Sequence, residues 1–131
     1  MYQETKDSLF TAPQLRWGVI GCGVIANQMA EALAAEGRYI DGVANRTHEK
    51  AVAFADKHGV ARVYDTIDDL IAAPDIDVLY LTTPHNTHIT YLRKALAAGK
   101  HVLCEKSITL NSAELLEAEE LARQNGVQLM D

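Results

Sequence analysis

Cysteine is scarce in this chain, two in 131 residues, and Cys22 and Cys104 lie too far apart to form a CxxC pair. A disulfide framework and a structural zinc site therefore have no support, and both thiols are expected as small buried side chains. Basic charge is also short: 12 Lys and Arg face 18 Asp and Glu, for a formal net charge of -6. Without a basic stripe to displace counterions, a binder of nucleic-acid backbones is excluded, and any anionic ligand must be held locally. No apolar run approaches the ~20 residues of a membrane span, so no membrane partner is expected. The opening segment MYQETKDSLFTAPQ lacks the apolar centre of a secretory signal, which makes the cytoplasm the expected compartment. Internal repeats, linkers and low-complexity stretches are missing as well.

What is present suits one domain, with 48% hydrophobic residues to bury as a core. Residues 1–14 read as a polar tail, and from Leu15 onward apolar runs alternate with helical periods, the rhythm of a parallel sheet. Strands are predicted at Leu15 to Ile20, Ile40 to Ala44, Arg62 to Tyr64, Val78 to Thr82, His101 to Cys104 and Val127 to Met130. The first helix is predicted to turn Ile25, Met29, Ala32 and Leu33 toward the sheet and to end at Gly37. A second runs from Thr47 to Gly59 with Ala51, Phe54 and Ala55 inward. Thr66 to Asp69 reads as the capped start of a short third. Ile89, Leu92 and Leu96 mark a fourth that ends before Gly99, and Asn111 with Glu114 opens a fifth that stops at Gly126. Right-handed crossovers convert this list into an α/β, doubly wound parallel sheet of order 3-2-1-4-5-6, a Rossmann-type single domain over residues 15–131. Ligands of such sheets bind where the strand order reverses, so the loops after strands one, two, four and five are where function is expected.

Those loops carry unusual residues. Strand one runs into Gly21-Cys22-Gly23-Val24-Ile25-Ala26, a GxGxxA turn. Its first glycine permits a tight turn, its second a close approach to a pyrophosphate, and its small last residue close packing of helix on strand. The helix start adds unpaired N–H groups and a positive dipole end. A glycine-rich turn alone also occurs for packing; here a strand before and a helix after supply the context. Strand two ends in Asn45-Arg46-Thr47, with Lys50 one turn on, where an acidic residue would read a free ribose 2′-hydroxyl. The charge of Arg46 favours NADP over NAD, with NAD left open, since both cations also fit a solvated helix start. Strand four leads into Thr82-Thr83-Pro84-His85-Asn86-Thr87-His88, in which Thr82, Thr83, Pro84, Asn86 and His88 suit the nicotinamide end of a dinucleotide. His85 and His88 lack a third partner, so no metal is expected. Strand five leads directly into Glu105-Lys106, which places this pair in the cleft rather than on the surface. There Lys106 is the candidate catalytic residue, exchanging a hydroxyl proton during hydride transfer.

Taken together, GVIGCGVIA, VANR, YLTTPHNTH and AGKHVLCEKS resemble the amino-terminal domain of the Gfo/Idh/MocA oxidoreductases, the family of glucose-fructose oxidoreductase, inositol dehydrogenase and rhizopine catabolism. The resemblance runs from about Leu15 to Asp131. AGKHVLCEK is similar to the family's AGKHVxxEKP segment, with its catalytic-site lysine here Lys106, and Thr83-Pro84 with His88 resembles its TPxxxH stretch. Ser107 stands where that segment usually has proline, and His85 rather than asparagine follows Pro84. The resemblance implies an NAD(P)-dependent oxidoreductase acting on a sugar, polyol or related hydroxyl or carbonyl compound. It also implies an α/β substrate domain outside this sequence, which would supply further catalytic residues and most oligomer contacts. This chain alone is then expected to bind cofactor without turnover, and to self-associate through its exposed sixth strand. The alternatives are a nucleotide-sensing or CoA-binding module, which has no need of Lys106, and a methyltransferase, in which an acidic group would stand near Arg46.

Overall fold

The computed structural model describes residues 15–104 and 111–130. The polar tail and the expected positions of Glu105, Lys106 and Ser107 lie outside them. Six parallel strands appear in chain order as β1 (Trp17–Ile20), β2 (Gly42–Ala44), β3 (Arg62–Val63), β4 (Val78–Leu81), β5 (His101–Cys104) and β6 (Leu129–Met130). They form one sheet of order β3-β2-β1-β4-β5-β6, as the alternating pattern requires. Between them run α1 (Val24–Ala35), α2 (His48–His58), α3 (Ile67–Ala72), α4 (His88–Ala97) and α5 (Ser112–Asn125), with a 3-10 turn at His85–Thr87. Among the described residues no helix is long and apolar enough to cross a membrane.

The inner strands β1, β2, β4 and β5 bury side chains on both faces, because helices cover both sides of a doubly wound sheet. Trp17, Val19, Val43, Val78 and Tyr80 belong to the core shared with α1 and α2. Ile20, Ala44, Leu79 and Leu81 belong to the other, shared with α3, α4 and α5. Each large aliphatic side chain so buried contributes roughly 1.5–3 kcal/mol of transfer free energy.

Helix limits follow local chemistry. The Thr66 side chain accepts from Asp69 N–H at 3.0 Å to open α3, and Asn111 accepts from Glu114 N–H at 2.9 Å to open α5. Gly59 and Gly126 close α2 and α5 in left-handed conformation. Inside α2 the expected Ala51, Phe54 and Ala55 are the buried residues.

The stripe on α1 differs from expectation. Ala26, Ala30 and Leu33 face the core, while Ile25 and Ala32 are exposed and Met29 is half-buried. Small residues let the helix axis approach the sheet closely, so alanines take the contact line and the larger side chains are rotated to one side. There Ile25, Met29, Ala32 and Leu33 line a hollow of about 400 Å3 with Tyr80 and Leu103. On α4 the inward set is His88, Leu92, Ala95 and Leu96, so His88 rather than Ile89 takes the first core position. Several strands are shorter than predicted. Leu15 and Arg16 precede β1, and Ile40 precedes β2, buried but outside the ladder.

The amino end of the sheet is tied by structural polar contacts. Arg16 donates from N and Nε to Asp77 Oδ2 at 2.8 and 3.1 Å, and Trp17 N–H donates to Asp41 Oδ2 at 2.7 Å. The guanidinium of Arg16 holds the Asp77 carboxyl below its ordinary range. Lys100, buried, donates Nζ–H to the carbonyls of Ala73 and Ile76, and burial lowers its pKa. His101 Nδ1 accepts from Gln128 N–H at 3.0 Å. These bonds serve the fold at that end of the sheet, whereas the carboxyl end is built differently.

Candidate functional site

At the carboxyl edge the inner strands finish in one row. Ile20 pairs with Ala44 on one side and Leu81 on the other, and Leu81 pairs with Cys104. The segments beginning at Gly21, Asn45 and Thr82 therefore leave the sheet side by side, next to the end of β5 at Cys104 and at the place where strand order reverses.

The glycine turn has two glycines for two different reasons. Gly21 has φ +101°, and a Cβ there would lie 2.5 Å from Thr82 Oγ1, so neither backbone nor space admits a side chain. Its N–H donates to Ala44 O at 3.0 Å. Gly23, by contrast, has an ordinary φ of -83°, and a Cβ would meet nothing within 4 Å. Neither backbone conformation nor internal packing demands glycine at 23. Ala26 is fully buried, as the close packing of α1 on the sheet requires.

The start of α1 is open to an anion. Gly23 provides no side-chain cap and the first turn carries no acidic residue, so its N–H groups remain for a partner. Val24 and Ile25 are exposed beside it. Cys22, half-buried, is raised to about 11 by burial, with Lys50 opposing, and the thiol stays protonated at neutral pH.

The three residues expected at the adenosine end do not share one surface. Asn45 donates Nδ2–H to Thr47 O at 3.0 Å, which fixes the turn into α2. Asn45 and exposed Arg46 line a cavity of about 350 Å3 with Ile67, Thr90, Tyr91 and Lys94. Lys50 lines another, of about 240 Å3, with Cys22, Asn27 and Phe54. The two cations thus flank the start of α2 from different sides. Sequence reasoning did not anticipate the apolar walls Ile67 and Tyr91, because they come from α3 and α4.

In the loop after β4, Thr82 donates both N–H and Oγ1–H to Ile20 O, at 3.0 and 2.9 Å, which locks it against the glycine turn. Thr87 donates its hydroxyl to Pro84 O at 2.6 Å and lies 2.8 Å from the Thr83 hydroxyl. Pro84 and Asn86 are exposed, and Thr83 is half-buried. His88 is placed otherwise: it is 1% exposed and sits behind the loop. Its Nε2 lies 2.8 Å from Thr83 O, and its Nδ1 lies 3.3 Å from Cys104 Sγ. Since a carbonyl only accepts, Nε2 carries the proton and Nδ1 accepts from the thiol. His88 therefore supports the loop, joining it to the end of β5. Immediately beyond Cys104 the chain enters Glu105 and Lys106. Among the described residues no group of three or more His, Cys, Asp or Glu side chains could hold a metal ion.

A parallel sheet whose order reverses beside an uncapped glycine turn defines a doubly wound nucleotide-binding domain. The particular family follows from comparison with known proteins. Residues 15–131 match the Gfo/Idh/MocA model, described as an oxidoreductase family with an NAD-binding Rossmann fold, and the chain belongs to that family. It is 37% identical over 120 residues to trans-1,2-dihydrobenzene-1,2-diol dehydrogenase of Mus musculus, covering 89% of this chain and 36% of that protein. A 3-ketoreductase from Actinomadura kijaniata in complex with NADP and TDP-benzene superposes with TM-score 0.82 at 33% identity, over 88% of this chain and 36% of that one. GenD2 from gentamicin A biosynthesis, in complex with NAD, superposes with TM-score 0.81 at 29% identity, over 89% of this chain and 34% of that one. The chain thus spans about a third of the length of the relatives it matches.

Proposed function

We propose that this chain holds NADP, in preference to NAD, for an oxidoreductase that interconverts a hydroxyl and a carbonyl group on a sugar, polyol or related small molecule. The observation that carries the reading is the unfilled space at Gly23, on a helix start that has neither cap nor acid of its own. The turn Gly21, Cys22, Gly23, Val24, Ile25 and Ala26 binds the pyrophosphate through backbone N–H groups. Arg46 and Lys50 hold the 2′-phosphate side of the adenosine, with Asn45 shaping the turn and the wall of Ile67 and Tyr91 accepting the base. Thr82, Thr83, Pro84 and Asn86 border the nicotinamide end, held in place by His88. When bound, the nicotinamide supplies the site that takes or gives the hydride. Lys106, beside Glu105, exchanges the substrate's hydroxyl proton. The relatives' complexes with NADP and with NAD support a dinucleotide, and the choice between the two rests on Arg46.

Calorimetric titration with NADPH and NADH tests the cofactor half: tighter binding of NADPH is expected, equal affinities remove the preference, and no binding overturns the reading. Lys106→Met tests the chemical half. In the whole protein, oxidation of a panel of sugars, polyols and dihydrodiols is expected to be lost while cofactor affinity is kept. Because substrate positioning accounts for much of an enzyme's rate, this chain alone is expected to bind cofactor without appreciable turnover.

A further inference from the structure

Beside the glycine turn, where Asn27 shares a hollow with Cys22 and Lys50, lies a pair of polar side chains that the sequence pattern did not single out. Asn27, in α1, donates Nδ2–H to Gly23 O at 2.8 Å and approaches Cys22 O at 3.3 Å. Its Oδ1 is 2.6 Å from Nε2 of His58, the last residue of α2. With the Asn27 amide nitrogen facing two carbonyls, which only accept, its oxygen must face His58. Nε2 of His58 is then the donor. The imidazole is held in turn by Phe54, with ring centroids 4.7 Å apart.

We propose that His58 and Asn27 act as a positioning relay that keeps the glycine turn in its anion-binding orientation; this rests on the dinucleotide reading above. A peptide group is planar and trans, so when the Cys22 and Gly23 carbonyls point back to Asn27, the N–H groups of Gly23 and Val24 point the opposite way. Rotating either peptide would turn a carbonyl oxygen toward the pyrophosphate, replacing attraction by repulsion. Two glycines make such rotation easier here than elsewhere in the chain. Asn27 opposes it: the Gly23 oxygen is held also by the backbone N–H of Asn27, at 3.1 Å, so the Asn27 side chain acts chiefly on the Cys22 peptide, whose oxygen its amide reaches at 3.3 Å. His58 opposes rotation of the Asn27 amide, which would otherwise present oxygen to oxygen. The relay reaches the turn from another helix, so the packing of α2 on α1 sets the shape of the phosphate site.

The test is a double-mutant cycle on dinucleotide affinity, read by titration with NADPH and NADH, with the thermal midpoint measured in the absence of nucleotide. Asn27→Ala keeps a strong helix former, and is expected to weaken binding about tenfold; His58→Leu should weaken it about fivefold, in the range of coupled neighbours. His58→Gln, whose amide N–H can reach Asn27 Oδ1, should restore most of the affinity. Because His58 acts through Asn27, the double variant should bind no more weakly than Asn27→Ala alone. Additive losses, affinity unchanged in both single variants, or failure of His58→Gln to recover would each overturn the relay. A loss of affinity that merely tracks a lowered thermal midpoint would do so too. An unaltered chain that binds neither nucleotide overturns the dinucleotide reading and the relay with it, whereas normal binding by Asn27→Ala overturns the relay alone.

Discussion

Gly21 and Thr82 are in such close apposition that a single added methyl on residue 21 would lie 2.5 Å from the threonine hydroxyl oxygen. That hydroxyl is already committed to Ile20 O, so it has little freedom to move away.

Gly21→Ala should destabilise the fold by about 2 kcal/mol or more, from a side chain at positive φ and from the clash with Thr82. Gly23→Val should cost at most ~1 kcal/mol at the helix start, yet abolish dinucleotide binding. Thermal melting and calorimetry on the two variants check the contrast. A Gly23→Val protein that retains its affinity would show that the open space at residue 23 serves no ligand.

His88→Ala should destabilise by roughly 2–3 kcal/mol, because it leaves a buried void and removes the partner of Thr83 O. Cys104→Ala should cost about 1 kcal/mol, and the pair should be coupled by at least ~0.5 kcal/mol, as groups in one network are. Urea denaturation of the single and double variants measures this. Strict additivity would dissociate the thiol from the imidazole.

Arg46→Asp should reverse the cofactor preference, moving the ratio of NADPH to NADH affinity by about tenfold or more, equivalent to ~1.4 kcal/mol. A carboxylate there repels a 2′-phosphate and accepts from a free ribose hydroxyl. Lys50→Met, on the other side of the helix start, should weaken NADPH without creating a preference for NADH. Titration of each variant with both cofactors separates the two roles.

His101 gives the fold an acid sensitivity. Burial holds its pKa below the ordinary 6.5, and its Nδ1 must be unprotonated to accept from Gln128 N–H. The unfolded chain therefore binds more protons in the interval between the lowered folded value and 6.5. The stabilisation is complete above pH 6.5 and is lost as pH falls through the folded value. Stability in denaturant should fall as the pH drops from 6.5 through the lowered folded value, and His101→Gln should flatten the histidine part of that slope.

Strand number, sheet order and most helix limits were readable along the chain because each depends on signals local to it. Apolar runs, a period of 3.6 and the caps Thr66, Asn111, Gly59 and Gly126 act within a few residues of themselves. The glycine turn was readable for the same reason, and so was its position beside the loop Thr82 to His88, once right-handed crossovers are applied.

Positions along one helix can be assigned a common face from periodicity, but which way that face turns depends on what lies opposite. Ala26 and Ala30 are buried against the sheet while Ile25 is exposed and Met29 half-buried, because the short side chains allow closer approach. His88 looks like a ligand in a polar loop, and becomes a support because α4 turns it toward Thr83 and Cys104. Arg46 and Lys50, one helical turn apart, open onto different hollows because α3 and α4 wall one side and α1 the other. Asn27 and His58 are 31 residues apart, and only the packing of two helices makes them partners. The strands, helices and glycine turn thus come from short-range backbone preferences written in the chain, whereas the orientation and partnership of the polar side chains follow from close packing between elements distant in sequence.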